Sequence, residues 1–336
     1  MQFDQLKRRE FLSLIGGTTV AWPLAARAQQ PERMRRIGVL MAYSESDREG
    51  QADVAAFRQE LQRLGWAEGR NVRIDTRWPI PADVESMQRL AKELVALQPD
   101  VILSQITPTT AALLQHTRTI PIVFATVSDP VGSGFVASLS RPGGHVTGFA
   151  TLEGSLGGKW VELLKEIAPR VARVALLFNP ATATFAEYFL APVKAAAESL
   201  GVGTIVAPVH DRSELESIIA TQARESNSGL IVIPDSFLQL HRAEVTSLAV
   251  RYRLPAVYPF RQFAELGGLL SYGVDRLENW RGAAGYVDRI LKGEKPANLP
   301  VQAPSKYELV LNLKTAKALG LDVPWFLQQR ADEVIE

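Results

Sequence analysis

The chain alternates short β-branched apolar runs with stretches whose apolar residues recur at helical spacing, and this alternation limits its fold more than any other feature. Neighbouring parallel strands need a return connection of a dozen or more residues, usually a helix, so the alternation predicts parallel α/β sheets. The first series has strands at 36–42, 71–78, 100–104, 120–125 and 146–150, with helices at 51–64, 83–97 and 107–117. In the helix at 83–97, Val84, Met87, Leu90, Ala91 and Leu94 share one face. A second series runs through helix 155–168, strand 173–178, helix 182–200 and strand 203–209. It continues with helix 213–225, strand 230–233, helix 238–252 and strands 256–258 and 268–272. A long helix at 276–291 is placed to return to the first series, and a strand and helix follow at 307–319. At roughly 150 residues per domain, 336 residues make two domains. The expected fold class is therefore α/β, with two Rossmann-like lobes of parallel strands joined by a multi-crossing hinge. Lobe 1 is expected over 29–150 plus about 275–302 and lobe 2 over 151–274. The strand–helix tail at 303–336 is assigned to neither lobe.

The N-terminus stands apart from the fold. Lys7-Arg8-Arg9 precedes an uncharged stretch through Ala26, and Ala26-Arg27-Ala28 is a small-x-small cleavage signal. The Arg-Arg-x-Phe-Leu run resembles a twin-arginine export signal, so residues 1–28 are expected to be a signal peptide removed from a periplasmic product. With no cysteine the chain has no lipid-attachment site, disulfide framework, thiolate nucleophile or thiolate metal site. Thirty-seven Lys and Arg against 36 Asp and Glu leave no basic excess for nucleic acid.

Chemistry concentrates at the predicted strand ends. Thr107-Pro108-Thr109, Asp129-Pro130, Asn179-Pro180 and Pro234-Asp235 each look like a helix start, with an oxygen to cap free N–H groups and a proline that lacks one. Singly, each is an ordinary cap. Collectively they lie where open α/β sheets bind ligands, beyond the carboxyl ends of the strands, two from each lobe facing across a cleft. Thr107 and Thr109 at a helix N-terminus suit a carboxylate, and Asp129 and Asp235 suit an ammonium or hydroxyl group. Tyr43, Ser44, Gln105, Thr126, Ser128, Tyr258 and Tyr272 also follow or end strands and complete the candidate ligand-binding set. Catalytic signatures are weak. In the run from Gly154 to Trp160 the first phosphate-loop glycine would fall at Glu153, and Trp160 replaces the magnesium-binding hydroxyl. No G-x-S-x-G elbow occurs, and His116, His145, His210 and His241 lack metal-ligand spacing. Neither a cofactor nor a metal is expected.

Taken together, the chain resembles the periplasmic substrate-binding proteins of ABC importers, of the type I two-lobed class. Within that class it is similar to the tryptophan- and tyrosine-type binders. The resemblance rests on Ile120-Pro-Ile-Val-Phe124, Asp129-Pro-Val-Gly-Ser-Gly134, Arg141-Pro-Gly-Gly-His-Val-Thr-Gly148 and Gly267-Gly-Leu-Leu-Ser-Tyr-Gly273. Ile290-Leu-Lys-Gly-Glu-Lys-Pro296, Leu299-Pro-Val301 and the run from Asn312 to Gly320 agree as well. It implies a monomer that closes on a small organic ligand and passes it to an ABC permease in the inner membrane. Carried over by position, Thr107 and Thr109 would take an amino-acid carboxylate and Asp235 the ammonium, with Asp129 as helper. This chain departs from the family at Gln105-Ile106, where a Gly/Ala-rich turn is usual and larger side chains change the pocket's shape. Two alternatives stand beside this reading: a periplasmic sensor subunit for a membrane kinase, and an α/β hydrolase or isomerase using Asp129 and Asp235 as an acid–base pair.

Overall fold

The computed structural model describes residues 34–336, so the expected signal at 1–28 lies outside the described residues. Strands β1 (Arg35–Leu40), β2 (Val72–Arg77), β3 (Val101–Ile106), β4 (Ile122–Val127) and β5 (Val146–Ala150) form one parallel sheet in the order β2-β1-β3-β4-β5. Helices α1 (Arg48–Arg63), α2 (Val84–Ala96) and α3 (Thr107–Leu114) connect them. The second sheet contains β6 (Arg173–Phe178), β7 (Gly203–Pro208), β8 (Ser228–Val232), β9 (Ala256–Tyr258) and β10 (Leu270–Gly273), all parallel. Helices α4 (Leu156–Ile167), α5 (Glu187–Ser199), α6 (Arg212–Arg224), α7 (Ser236–Leu240), α8 (Arg242–Arg251) and α9 (Arg261–Glu265) accompany it.

Two segments return out of sequence. Helix α10 (Arg276–Leu291) buries Trp280, Ala283, Ala284, Val287 and Leu291 with Phe57 and Leu61 of α1, closing one face of the first sheet. The tail supplies β11 (Glu308–Asn312), antiparallel to β10, then α11 (Leu313–Ala318), α12 (Trp325–Arg330) and β12 (Glu333–Ile335), which pairs parallel with β11. The tail thus extends the second sheet to β12-β11-β10-β9-β8-β6-β7. The lobes are joined where the chain leaves β5, leaves β10 and approaches β11. Two of these crossings are tied together: Ala150 N–H donates to Gln302 O at 2.8 Å, and Gln302 N–H to Gly148 O at 2.9 Å.

Most expected elements form within a few residues of their expected ends. The single helix expected over 238–252 is instead two, because Asp235 starts α7 early and the backbone leaves helical geometry at His241 (φ −97°, ψ 18°). The helix expected from 182 begins at Glu187; Asn179 first organises a turn, accepting Ala181 N–H at 2.8 Å and Thr182 N–H at 3.3 Å on Oδ1. Helices α9 and α12 and strand β12 carry no clear sequence signal. Beside the site, Gly148 (φ +150°) lets β5 lie against β4, since a Cβ there would sit 2.1 Å from Phe124 O. The β4–β5 register shifts between Phe124 and Val127. The end of β4 is thereby turned towards the cleft.

Candidate functional site

Each sheet has one place where successive connections leave in opposite directions, between β1 and β3 in the first and between β6 and β8 in the second. Open α/β sheets bind ligands at such points. Here both open onto one cavity between the lobes. Lobe 1 contributes Tyr43 after β1, Ile106, Thr107 and Pro108 after β3, Thr126 and Ser128 at the end of β4, and Thr151 at a crossing. Lobe 2 contributes Thr182 and Phe185 after β6, Pro234, Asp235, Ser236 and Gln239 after β8, and Phe260 after β9. Arg276 completes the wall at the start of α10.

On the lobe 1 side, α3 points its N-terminus at the cavity. Thr107 is its first residue, and the cap position is Ile106. The Thr107 hydroxyl instead clasps the next strand end: it accepts from Ser128 N–H at 3.0 Å and donates to Ser128 O at 3.1 Å. Thr126 Oγ1 donates to Gln105 O at 2.7 Å. These bonds hold the ends of β3 and β4 side by side, so the helix start and Ser128 form one polar wall.

On the lobe 2 side, Asp235 caps α7. Its Oδ1 accepts Thr182 Oγ1 at 2.6 Å and Phe237 N–H at 2.6 Å, and Oδ2 accepts Asn179 N–H. Burial pushes its carboxyl up to about 6, against the pull of those donors. A carboxylate has about four acceptor positions, and Oδ2 holds a single protein donor. Three other buried atoms on this cavity have no partner among the described residues: Thr151 Oγ1, Ser236 Oγ and Gln239 Oε1. Buried polar atoms are nearly always paired, so orphans grouped on one cavity mark a place for a polar guest or for water.

Charge lies along one side of the cavity. Arg276, 6% exposed, pairs with Asp53 Oδ2 at 2.7 Å and with Glu49 Oε2 at 3.2 Å. Its guanidinium carbon is 5.7 Å from both the Tyr43 and Phe260 ring centroids, between an aromatic of each lobe. Burial opposes its charge, and the facing Asp53 and Glu49 carboxylates outweigh burial and hold it protonated. Burial pushes Asp53 up to about 6 and the Tyr43 phenol up to about 12. The lobes also touch directly: Glu49 meets Gln239 Nε2 at 2.9 Å and Arg242 Nε at 3.1 Å, and Asp47 lies 3.6 Å from Arg242. The described conformation is closed at this rim.

Of the residues expected from sequence, Tyr43, Thr107, Thr126, Ser128 and Asp235 line the cavity; Ser44, Gln105, Thr109, Asp129, Asn179, Tyr258 and Tyr272 do not. Thr109 is fully buried, its hydroxyl bonded to Ile106 N and O and to Ser104 Oγ. Gln105 braces the sheet from Ala42 N–H to Asp53. Asn179 donates to His210 O, Tyr258 stacks on Phe263, and Tyr272 stacks on Tyr307. Ser44 pairs with Ser46 at the surface. Asp129, in the left-handed region (φ +45°), accepts from Gly132 N–H and starts no helix. It does not line the cavity with Asp235, so these two carboxylates are not brought together there as a pair. Sequence reasoning missed Thr151, Thr182, Phe185, Gln239, Phe260 and Arg276. An arginine in the first turn of a helix opposes the helix dipole, and that local conflict was the available signal for Arg276. Among the described residues no cluster of His, Asp and Glu has metal-binding geometry. Nor is any helix there long and apolar enough to cross a membrane.

The chain is similar over 90% of its length to the structure of an ABC domain in complex with L-Trp from Streptococcus pneumonia, with 26% identity, 99% of that chain covered and a TM-score of 0.82. A conserved domain protein from Vibrio cholerae gives 28% identity, 90% of this chain, 100% of that chain and a TM-score of 0.82. A tyrosine-binding protein of Clostridioides difficile is 24% identical over 79% of this chain and 75% of its own length. The family model for ABC transporter substrate binding proteins matches residues 40–335. The chain belongs to the ABC transporter substrate-binding protein family.

Proposed function

We propose that this protein captures a single amino acid with an aromatic side chain between its lobes, in the periplasm, and hands it to an ABC permease without chemical turnover. The observation that carries the ligand class is the cavity's division of labour. A helix N-terminus with Ser128 lies on the lobe 1 side, the Asp235 carboxylate on the lobe 2 side, and the rings of Tyr43, Phe185 and Phe260 line the same cavity. That arrangement suits a zwitterion whose carboxylate meets the α3 N–H groups and whose ammonium meets Asp235. The side chain would pack among the rings. The complex with L-Trp of one relative and the name of the other, a tyrosine-binding protein, support the same class. Export, a monomeric state and the permease partner rest on the signal-like N-terminus and on family membership.

A thermal-shift screen of the protein lacking residues 1–28 tests this. L-tryptophan and L-tyrosine should raise the melting temperature in a concentration-dependent way, since a ligand at a hundred times its Kd stabilises the folded state by about 2.7 kcal/mol. Branched-chain amino acids should shift it less. If no aromatic amino acid moves the melt at millimolar concentration, the ligand class is wrong.

A further inference from the structure

We infer that Gln239 supplies, beside Asp235, a second acceptor for the ligand amine and so sharpens selection for ligands bearing one, and that Glu49 of the opposite lobe sets its polarity. The inference rests on the reading of the cavity as an aromatic amino-acid site and goes beyond it. Gln239 is 2% exposed and lines the cavity. Its Nε2 lies 2.9 Å from Glu49 Oε2. A carboxylate accepts and cannot donate, so the amide has one permitted orientation, with NH2 towards Glu49. Oε1 is then the end left over, and it is buried without a partner. One helical turn away, Ser236 Oγ is likewise buried and unpaired on the same cavity, and Asp235 adjoins it.

Glu49 cannot readily turn away from this role. Arg276 Nη1 holds the same Oε2 at 3.2 Å, and Arg242 Nε holds Oε1 at 3.1 Å. Arg242 also donates to Gln239 O at 2.7 Å, fixing the backbone from which the amide projects. The result is a fixed, unpartnered acceptor on a side chain that lines the cavity, which a ligand ammonium would satisfy and a ligand without a donor would leave unpaired. Sites built this way discriminate strongly against the analogue lacking the donor, because the cost falls on the protein's own stranded group. Gln239 belongs to lobe 2 and Glu49 to lobe 1, so the acceptor is oriented only when the lobes meet. Glu49 is thus a positioning residue whose effect is felt at the amine.

The test is calorimetric titration of the wild type, Gln239→Leu and Glu49→Gln with two matched pairs: L-tryptophan against 3-(indol-3-yl)propionate, and L-tyrosine against 3-(4-hydroxyphenyl)propionate. Melting curves and circular dichroism confirm that each variant is folded. The wild type should prefer the amine-bearing member of each pair by well over tenfold. Gln239→Leu should lower that preference by about ten- to a hundredfold, chiefly through weaker binding of the amino acid. Glu49→Gln should also lower the preference, because a glutamine at 49 can donate as well as accept and no longer dictates which way Gln239 faces. A purely structural role for Glu49 would weaken both members of a pair equally. An unchanged ratio in Gln239→Leu overturns the inference while leaving the amino-acid reading intact. A wild type that binds neither member of either pair overturns both.

Discussion

Thr107 is the most exacting test of how the cleft is built. Its hydroxyl is buried, accepting from Ser128 N–H at 3.0 Å and donating to Ser128 O at 3.1 Å. Thr107→Val keeps the shape and removes both bonds. Each buried backbone group left unpaired costs ~1–3 kcal/mol, and water entering from the adjoining cavity recovers part of it, so a net loss of about 2–3 kcal/mol is expected. At ~2–4 °C per kcal/mol for a domain of this size, the melting temperature should fall by about 4–12 °C. Ser128 and the start of α3 share the wall proposed to receive the ligand carboxylate, so affinity for L-tryptophan should fall by about tenfold as well. Thr109→Val is the control. Thr109 is fully buried and bonded within the turn, to Ile106 and Ser104, so the variant should melt lower with affinity unchanged within about twofold. The measurements are thermal melts by circular dichroism and titration calorimetry on both proteins. A Thr107→Val melt within about 1 °C of wild type would refute the clasp. Equal loss of affinity in the two variants would move the carboxylate away from this wall.

Acid should weaken amine binding. The Asp235 carboxyl is pushed up to about 6, so affinity for L-tryptophan should fall as pH drops from 7 to 5, while that of 3-(indol-3-yl)propionate should fall less. The stability sign is the reverse: the folded values of Asp235 and Asp53 lie above the unfolded value of about 3.9. Their contribution is therefore fully present below about pH 4 and lost as pH rises through about 6, which ligand-free melts across that window would reveal. Arg276→Met should leave Asp53 buried opposite no charge and cost about 3–5 kcal/mol in denaturant unfolding; a neutral result would mean that the pair adds nothing to the fold. Gly148→Ala should destabilise by at least ~2 kcal/mol, because both its φ of +150° and its contact with Phe124 O exclude a Cβ. A melt like wild type would show that β5 can retreat from β4.

The strands were legible because buried parallel strands are apolar along their whole length, as in the Val-Ile-Leu of β3 and the Ile-Val-Phe of β4. Strand β12, three residues beginning with Glu333, offers no such contrast. The helix break at His241 was hidden because apolar spacing continues across it. Within the site, Thr107 and Asp235 could be found because a polar residue beside proline at a strand end is a local signal. Asp129 and Asn179 gave the same signal and form local turns instead. Gln239 and Phe185 carry no local mark, since only the packing of one lobe against the other decides that they face the cavity. Thr109 shows the opposite failure: the residue type was right for a ligand contact, but the helix itself consumed the hydroxyl.

The route of α10 has a consequence for how the protein is made. The apolar face of α1 and the first sheet, with Phe57 and Leu61, is covered by Trp280, Ala284 and Val287 from a helix that the ribosome delivers only after the whole parallel part of the second lobe. At 5–20 residues per second, the stretch from the end of β5 to the end of α10 keeps that face waiting roughly 7 to 28 seconds for its cover. The second lobe's parallel strands, by contrast, emerge as one uninterrupted run. The first lobe therefore begins before the second and waits through all of the second lobe's parallel strands for its cover, and a nascent chain stopped before residue 276 should carry one greasy, unfinished sheet for holdase chaperones to grip.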